Sequence, residues 1–332
     1  MPIVMKKILI LTGPAGDAQG WGNLDVTREL CETLNTDNRS AEIVFLESKE
    51  DFTEAIETKS FDIVWSALYH ISTKADIVGV NDDDGLWIAD ILDAKGIPYI
   101  GPNALTMKQL IQKNWTHEIL QHNKVTVPDN FTVDIDEEIP DASFPAFVKP
   151  SCESRSVGIS DDSVANTKEE LEKAIHYIHA EFKQPALIEE YLPGEEYTVL
   201  MLSNGKRQEF LTGIVKVDES HFGKYPILRS DLRGVGLTKI QRPTARVEES
   251  IELARQAVAA LNCLDHVRVD MRVSAEGQFK IIEVNGIPGL KPIKSWSPQM
   301  YSLYHASPQG VMQEYHQLIH LIVDSGLSRY GL

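Results

Sequence analysis

Short apolar runs recur along the first hundred residues, with polar segments of helical spacing between them. KILIL (7–11), EIVFL (42–46) and FDIVWS (61–66) read as strands. LWIADILDAKGIPYIG (86–101) reads as a helix, a glycine stop and another strand. Strands alternating with helices predict a parallel α/β layer. The opening MPIVMKKILILTGPAG has two lysines and an apolar run too short for a secretory leader, and its TGPAG ending suits a strand and its turn.

Residues 104–183 predict a smaller mixed unit: a helix around 108–121, the strand PAFVKP (145–150), the loop SCESRSVGIS, and a Thr-capped helix over 167–182. PALIEEYLPGEEYTVLML (185–202) predicts two strands broken at Leu-Pro-Gly. In the last third, Ile251, Ala254, Val258 and Leu261 form one helical stripe, and 266–285 reads as a β-hairpin. The segment 216–244 is polar and irregular, the character of a lid.

The hairpin carries chemistry. Alternation puts Arg268, Asp270 and Arg272 on one face, and Ile281, Glu283 and Asn285 on one face of the return strand. With the turn at Ser274–Gly277, Asp270 and Glu283 stand nearly opposite. Opposed like charges destabilise a sheet. Either a hard cation such as Mg²⁺, taking oxygens from Asp270, Glu283 and Asn285, compensates them, or Arg268 and Arg272 do so in a solvated ion-pair face. The glycines of the following NGIPG turn favour close approach of backbone N–H groups to a ligand. Lys149, at the end of its strand before a loop of small residues, is a candidate phosphate contact. LIEEYLPGEE (187–196) reads either as a hairpin with an acidic rim, the commoner case, or as a strand edge and carboxylate suited to adenine and ribose.

Charge and length narrow the classes. The 332 residues suffice for two or three compact units, and a net charge of −17 disfavours nucleic acid and anionic membranes as partners. No apolar stretch has the length of a membrane span. Cys31, Cys152 and Cys263 are too scattered for a disulfide framework, so a cytoplasmic location is expected.

Lys113 after IPYIGP, the K-P-S-x-E-x-x-S-V-G loop, L-I-E-E-Y-L-x-G-x-E, R-x-D and E-x-N-x-x-P-G occur here in that order. Together they resemble the ATP-grasp fold, and within it the D-alanine–D-alanine ligase branch, from about Lys7 to Pro298. The resemblance implies three α/β domains, 1–102, 103–190 and 191–332, with a lid around 216–244 and ATP between the central and C-terminal sheets. It implies that Lys113 and Lys149 meet ATP phosphates, that Glu189 and Leu192 flank adenine, that Glu196 holds the ribose, and that Ser156 and Ile282 also bind ATP. Asp270, Glu283 and Asn285 would bind two Mg²⁺ ions, with Mn²⁺ able to substitute. Arg268 and the Gly289 N–H would stabilise the oxyanion, and Lys224 and Tyr225 would match the lid pair of that family. The implied reaction joins a small carboxylate to an amine, and some relatives form homodimers.

Two departures mark the substrate end. The first strand–helix loop, TGPAGDAQGWGNLD (12–25), lacks the family segment whose Glu holds the first substrate's ammonium, leaving Asp17 or Asp25 as substitutes. Arg155 stands in ESRSVG where a small serine is usual, and either suits an anionic substrate group or points outward to pair with a surface acid. Ser295 matches a serine that contacts the second substrate's carboxylate, with Lys291 and Lys294 as nearby cations. These changes argue against D-alanine as first substrate. Activation of an enol or keto oxygen is an alternative ligase reading. Nucleotide binding without catalysis is one of another class, disfavoured by the intact Arg268, Asp270, Glu283 and Asn285 set.

Overall fold

The computed structural model describes residues 5–71, 86–233 and 235–332. Positions 1–4, 72–85 and 234, which fall within the expected first unit and lid, lie outside the described residues. The first layer is built from β1 (Lys6–Thr12), the short turn α1 (Gly16–Gln19), α2 (Leu24–Leu34), β2 (Arg39–Phe45), α3 (Lys49–Thr58) and β3 (Ile63–Ser66), then the two-residue pair β4 (His70–Ile71) and β5 (Leu86–Trp87), α4 (Ile88–Lys95) and β6 (Tyr99–Ile100). The parallel sheet runs in the order β2-β1-β3-β6. Ile8–Leu11 are buried on both faces, which is why that strand reads as an unbroken apolar run. Asn23 and Ser48 cap α2 and α3, and Gly96 ends α4 in the left-handed conformation.

The helix expected around 108–121 is two helices, α5 (Ala104–Ile111) and α6 (Lys113–His122). Gln112 breaks the run at ψ 98, which frees the Lys113 N–H to bond the Ser151 carbonyl at 3.0 Å. Then come β7 (Asn130–Val133), β8 (Ala146–Pro150), β9 (Val164–Ala165), α7 (Lys168–Phe182) and β10 (Ala186–Glu190). They form an antiparallel sheet, β7-β10-β8-β9, with Leu171, Ile175 and Ile178 of α7 in the core beneath it.

The third sheet, antiparallel and ordered β13-β12-β11-β14-β15, takes β11 (Glu196–Leu202), β12 (Glu209–Lys216), β13 (Lys239–Gln241), β14 (His266–Val273) and β15 (Phe279–Asn285). Helix α8 (Val247–Ala260) covers the face of Val267, Val269 and Met271. Segments 217–233 and 235–238 cross the site as loop and single helical turns. Helices α9 (Trp296–Tyr304) and α10 (Val311–Tyr330) close the chain. α10 returns to the first layer, where Leu318, Ile319 and Ile322 share a core with Ile8 and Ile63. Gly326 makes that packing close, since a Cβ there would lie 2.7 Å from Ile100. No helix among the described residues is long and apolar enough to cross a membrane.

Candidate active site

The second and third sheets face each other across a cleft. On β8, alternation sends Val148 into the core and Phe147 and Lys149 to the cleft. Leu192, Ile282 and, from the loop, Ile227 and Leu228 add apolar lining, while Lys113, Ser156, Glu189 and Glu196 add polar groups. Every residue expected to meet ATP is thus on one cavity.

A buried ionic belt crosses its floor. Lys149 Nζ lies 2.8 Å from Glu189 Oε1 and donates to the Ile282 carbonyl at 3.2 Å. Lys113 Nζ donates to the Glu153 carbonyl and lies 3.1 Å from Glu283 Oε1. His117, one helical turn after Lys113, places Nδ1 3.5 Å from Glu189 Oε1. Burial raises the Glu189 carboxyl above its ordinary range, with Lys149 opposing. Burial also raises Glu283, but Lys113, Arg233, Lys149 and Arg268 outweigh it and hold that carboxyl down at about 2. Burial and then the Lys149 charge push His117 down to about 3, so its ring is neutral at physiological pH.

Asp270 and Glu283 are partners across the β14–β15 ladder. Arg268 forks onto Asp270 at 2.8 and 2.7 Å, Thr198 Oγ1 donates to it at 2.7 Å and Asn285 Nδ2 at 3.2 Å. The register shifts next to Asp270, pairing Met271 with Ile281 and leaving Ile282 as the extra residue. Ile281 therefore joins the core instead of sharing the face of Glu283 and Asn285, while Ile282 turns to the cleft beside Glu283. Strict alternation had no means of showing this. The Asp270 and Glu283 carboxylates and the Asn285 amide are a hard-oxygen set of the kind Mg²⁺ takes with phosphate and water, Glu283 and Asn285 lining the cavities and Asp270 lying behind them under the Arg268 fork. Among the described residues no group of three or more His, Cys, Asp or Glu side chains is gathered for a metal.

A second cavity, of about 260 Å³, opens on the other side of this set. Lys113, Glu153, Arg233 and Glu283 line both cavities. Asp17, Arg155, Gly289, Lys291, Lys294 and Ser295 all line the second. Arg155 pairs with Asp17 at 2.7 Å, and Ser154 donates to the Ala18 carbonyl, so the loop after β8 is tied to α1. Arg155 and Ser156 both hold left-handed backbone, at φ 54 and 60. Ser295 Oγ accepts the Lys291 N–H at 3.0 Å, and a Cβ on Gly289 would lie 2.9 Å from it. In the NGIPG turn, the Gly286 and Ile287 N–H groups are spent on the Tyr69 hydroxyl, each at 3.1 Å.

Lys224 and Tyr225 line neither cavity. Their N–H groups point at the Asp161 carboxylate, at 2.7 and 3.4 Å, and the Tyr225 hydroxyl accepts from Asn166 at 2.8 Å. The cation this segment delivers is Arg233, whose Nε donates to Ser156 Oγ at 3.0 Å. Arg233 and Arg268 each lie over the Trp296 ring, 4.6 and 4.7 Å from its centroid. Sequence reasoning missed Arg233, His117, Glu153 and Tyr69. Spacing from Lys113 by one helical turn was the available signal for His117, and nothing in the irregular segment singled out Arg233.

Comparison with known proteins gives a consistent picture. The family model described as D-ala D-ala ligase C-terminus matches residues 108–324. A D-alanine–D-alanine ligase of Acetivibrio thermocellus is 28% identical over 299 residues, covering 85% of this chain and 72% of that protein. Among solved structures, the D-alanine–D-alanine ligase from Bacillus anthracis complexed with ATP superposes with a TM-score of 0.72 at 20% identity, covering 97% of this chain and 98% of that one. The VanG D-Ala:D-Ser ligase from Enterococcus faecalis gives 0.68 at 18% identity, covering 97% and 99%.

Proposed function

The chain belongs to the D-ala D-ala ligase C-terminus family and has the ATP-grasp fold of its ATP-dependent C–N ligases, and on that premise we propose that it joins a small-molecule carboxylate to an amine through an acyl phosphate. The observation that carries this reading is the meeting of two cavities at Lys113, Arg233 and Glu283. A nucleotide in the first cavity and an acid in the second bring a terminal phosphate and a carboxylate together at that point.

In this reading Lys113, Lys149 and Ser156 hold phosphate oxygens, Glu189, Leu192 and Ile282 surround the adenine, and Glu196 takes the ribose. Asp270, Glu283 and Asn285 hold Mg²⁺, which neutralises charge on the transferring phosphoryl group. The substrate carboxylate attacks the γ-phosphorus and ADP leaves. The amine then attacks the acyl carbon and phosphate departs, leaving an amide. Arg268 and the Gly289 N–H face the oxygen on which charge develops; one preorganised donor of this kind is worth about 3–4 kcal/mol of barrier. Arg233, rather than Lys224 or Tyr225, is the lid group that closes over both cavities and keeps water from the acyl phosphate. Asp17, Arg155, Lys294 and Ser295 belong to the substrate end. With Asp17 engaged by Arg155, the carboxylate available for an ammonium is taken up, which supports a first substrate other than D-alanine.

The test mixes the protein with ATP, Mg²⁺ and a pool of amino acids, dipeptides and small organic acids, following phosphate release and product masses. The expected result is a new mass equal to two pool members minus water, absent with Glu283→Gln. ATP binding without phosphate release from any pair overturns the ligase reading. D-Ala–D-Ala synthesis at an ordinary enzyme rate overturns the substrate statement.

A further inference from the structure

Two residues that line the second cavity, Gln19 and Tyr69, carry buried donors without an acceptor among the described residues. Gln19, 3% exposed, turns its amide oxygen to the backbone N–H groups of Tyr69 and His70, at 2.9 and 3.1 Å. Those two N–H groups fix which end of the amide is oxygen. Nε2, the pure donor, is left buried with no hydrogen-bond partner among the described residues. Tyr69, 6% exposed, accepts at Oη from Gly286 and Ile287. A phenol oxygen that accepts twice retains one proton to give, and among the described residues that proton has no acceptor. Gln19 binds the Tyr69 backbone N–H directly, and both residues line the same cavity. Buried polar groups in folded proteins are nearly always satisfied, so an orphaned donor pair on a cavity wall calls for an oxygen from the ligand.

The charge around the cavity selects that oxygen further. Asp17 is paired with Arg155. Lys291 and Lys294 line the same cavity, and among the described residues neither has a carboxylate within 4.0 Å. An ammonium placed at Gln19 and Tyr69 would set donors against donors. A carboxylate accepts from both and is drawn by the lysines.

Resting on the ligase reading above, we propose that the acid in this cavity places a second carboxylate, and no ammonium, against Gln19 Nε2 and Tyr69 Oη, so that the activated substrate is a dicarboxylic acid rather than an α-amino acid. Gln19 and Tyr69 are its specificity-determining residues.

The test is calorimetric binding of succinate, lactate, D-alanine and L-alanine to the full chain holding Mg²⁺ and a non-hydrolysable ATP analogue. Succinate is expected to bind at least tenfold tighter than the other three. Gln19→Glu keeps the oxygen that Tyr69 and His70 need but turns the donor into an acceptor, and is expected to weaken succinate at least tenfold. Tyr69→Phe, with its fold checked by thermal melting, is expected to weaken it as well. Alanine or lactate binding as tightly as succinate overturns the proposal, as does unchanged succinate affinity in Gln19→Glu, or no binding of any of the four acids. Trapping acyl phosphate as a hydroxamate, with ATP and hydroxylamine, separates the two readings. Gln19-dependent succinate binding without hydroxamate sinks the ligase reading alone. Hydroxamate from alanine and none from succinate sinks the dicarboxylate alone.

Discussion

Arg233 donates to the Ser156 hydroxyl at 3.0 Å and so latches the irregular segment between β12 and β13 onto the loop after β8. The same guanidinium lies over Trp296, which lines the second cavity. One side chain therefore spans both halves of the proposed reaction. Arg233→Ala is expected to lower kcat/KM by at least a hundredfold, through lost closure and lost positive charge, and to leave the melting temperature within a few degrees. Ser156→Ala removes the latch and the proposed phosphate contact of Ser156 while leaving the Arg233 charge in place, and is expected to cost roughly tenfold, the low end of the roughly 1.5–3 kcal/mol of a hydrogen bond to a charged group. Steady-state kinetics on both variants check this, and equal losses would show that Arg233 acts only as the latch.

Metal dependence follows from the carboxylate pair. Chelation with EDTA is expected to abolish ATP-dependent turnover, and added Mg²⁺ to restore it. Glu283→Gln is expected to lose turnover by more than a thousandfold and not to be rescued by excess Mg²⁺, because Glu283, the proposed ligand, is held ionised by Lys113 and Arg233. Phosphate-release assays across an Mg²⁺ series check both expectations. Full activity in EDTA would remove the metal from the reaction.

Much of this arrangement was legible in the sequence because it depends on alternation and local punctuation. The Asp270–Glu283 pairing followed from strand period and turn position, and the structure has that register. The β1 strand, the Gly96 stop and the Thr167 cap are local signals, and each element is present. What failed were features set by distant partners. The bulge at Ile282 turns that residue to the cleft, where its carbonyl accepts from Lys149 of another sheet. The break at Gln112 coincides with a bond from Lys113 to Ser151. Lys224 and Tyr225 were matched by residue type alone, and their neighbours Asp161 and Asn166 lie about sixty residues earlier in the chain. Arg155 was open to a substrate or to a surface acid, and the fold pairs it with Asp17, a residue read only as a substrate contact.

Asp265 ties the layers together away from the cleft. Its carboxylate is buried and accepts from the Gly101 N–H at 2.8 Å, Ser325 Oγ at 2.7 Å, Arg329 at 2.8 Å and the Asn204 amide. Those partners come from the first layer, α10 and the turn after β11. Asp265→Ala leaves the Arg329 charge unpaired, and breaking a buried pair typically costs about 3–5 kcal/mol. The variant is expected to unfold at correspondingly lower urea concentration while ATP affinity in the folded protein stays within threefold, since Asp265 lines neither cavity. A loss below about 1 kcal/mol would show that solvent or neighbours replace the carboxylate.

Acid sensitivity has a traceable source in His266. It is buried at the start of β14, with Nε2 3.3 Å from the Ser297 hydroxyl. Burial, and then the neighbouring Arg268 charge, push the imidazole down from 6.5 to about 3. Between those values the unfolded chain binds a proton that the folded chain refuses. The folded state therefore loses stability as pH falls below about 6.5, at a limiting rate of roughly 1.4 kcal/mol per pH unit for one such group. The loss levels off only near pH 3, where the folded chain also takes the proton. His117 adds in the same direction, being held neutral to about 3 as well. Urea unfolding of the wild type and of His266→Gln at pH 7.5, 6 and 5 checks this. The variant is expected to be less stable at pH 7.5 through lost packing, yet to lose less stability than the wild type between pH 6 and 5, by up to the rate given above. Parallel pH profiles for the two proteins would mean that His266 takes its proton in the folded state.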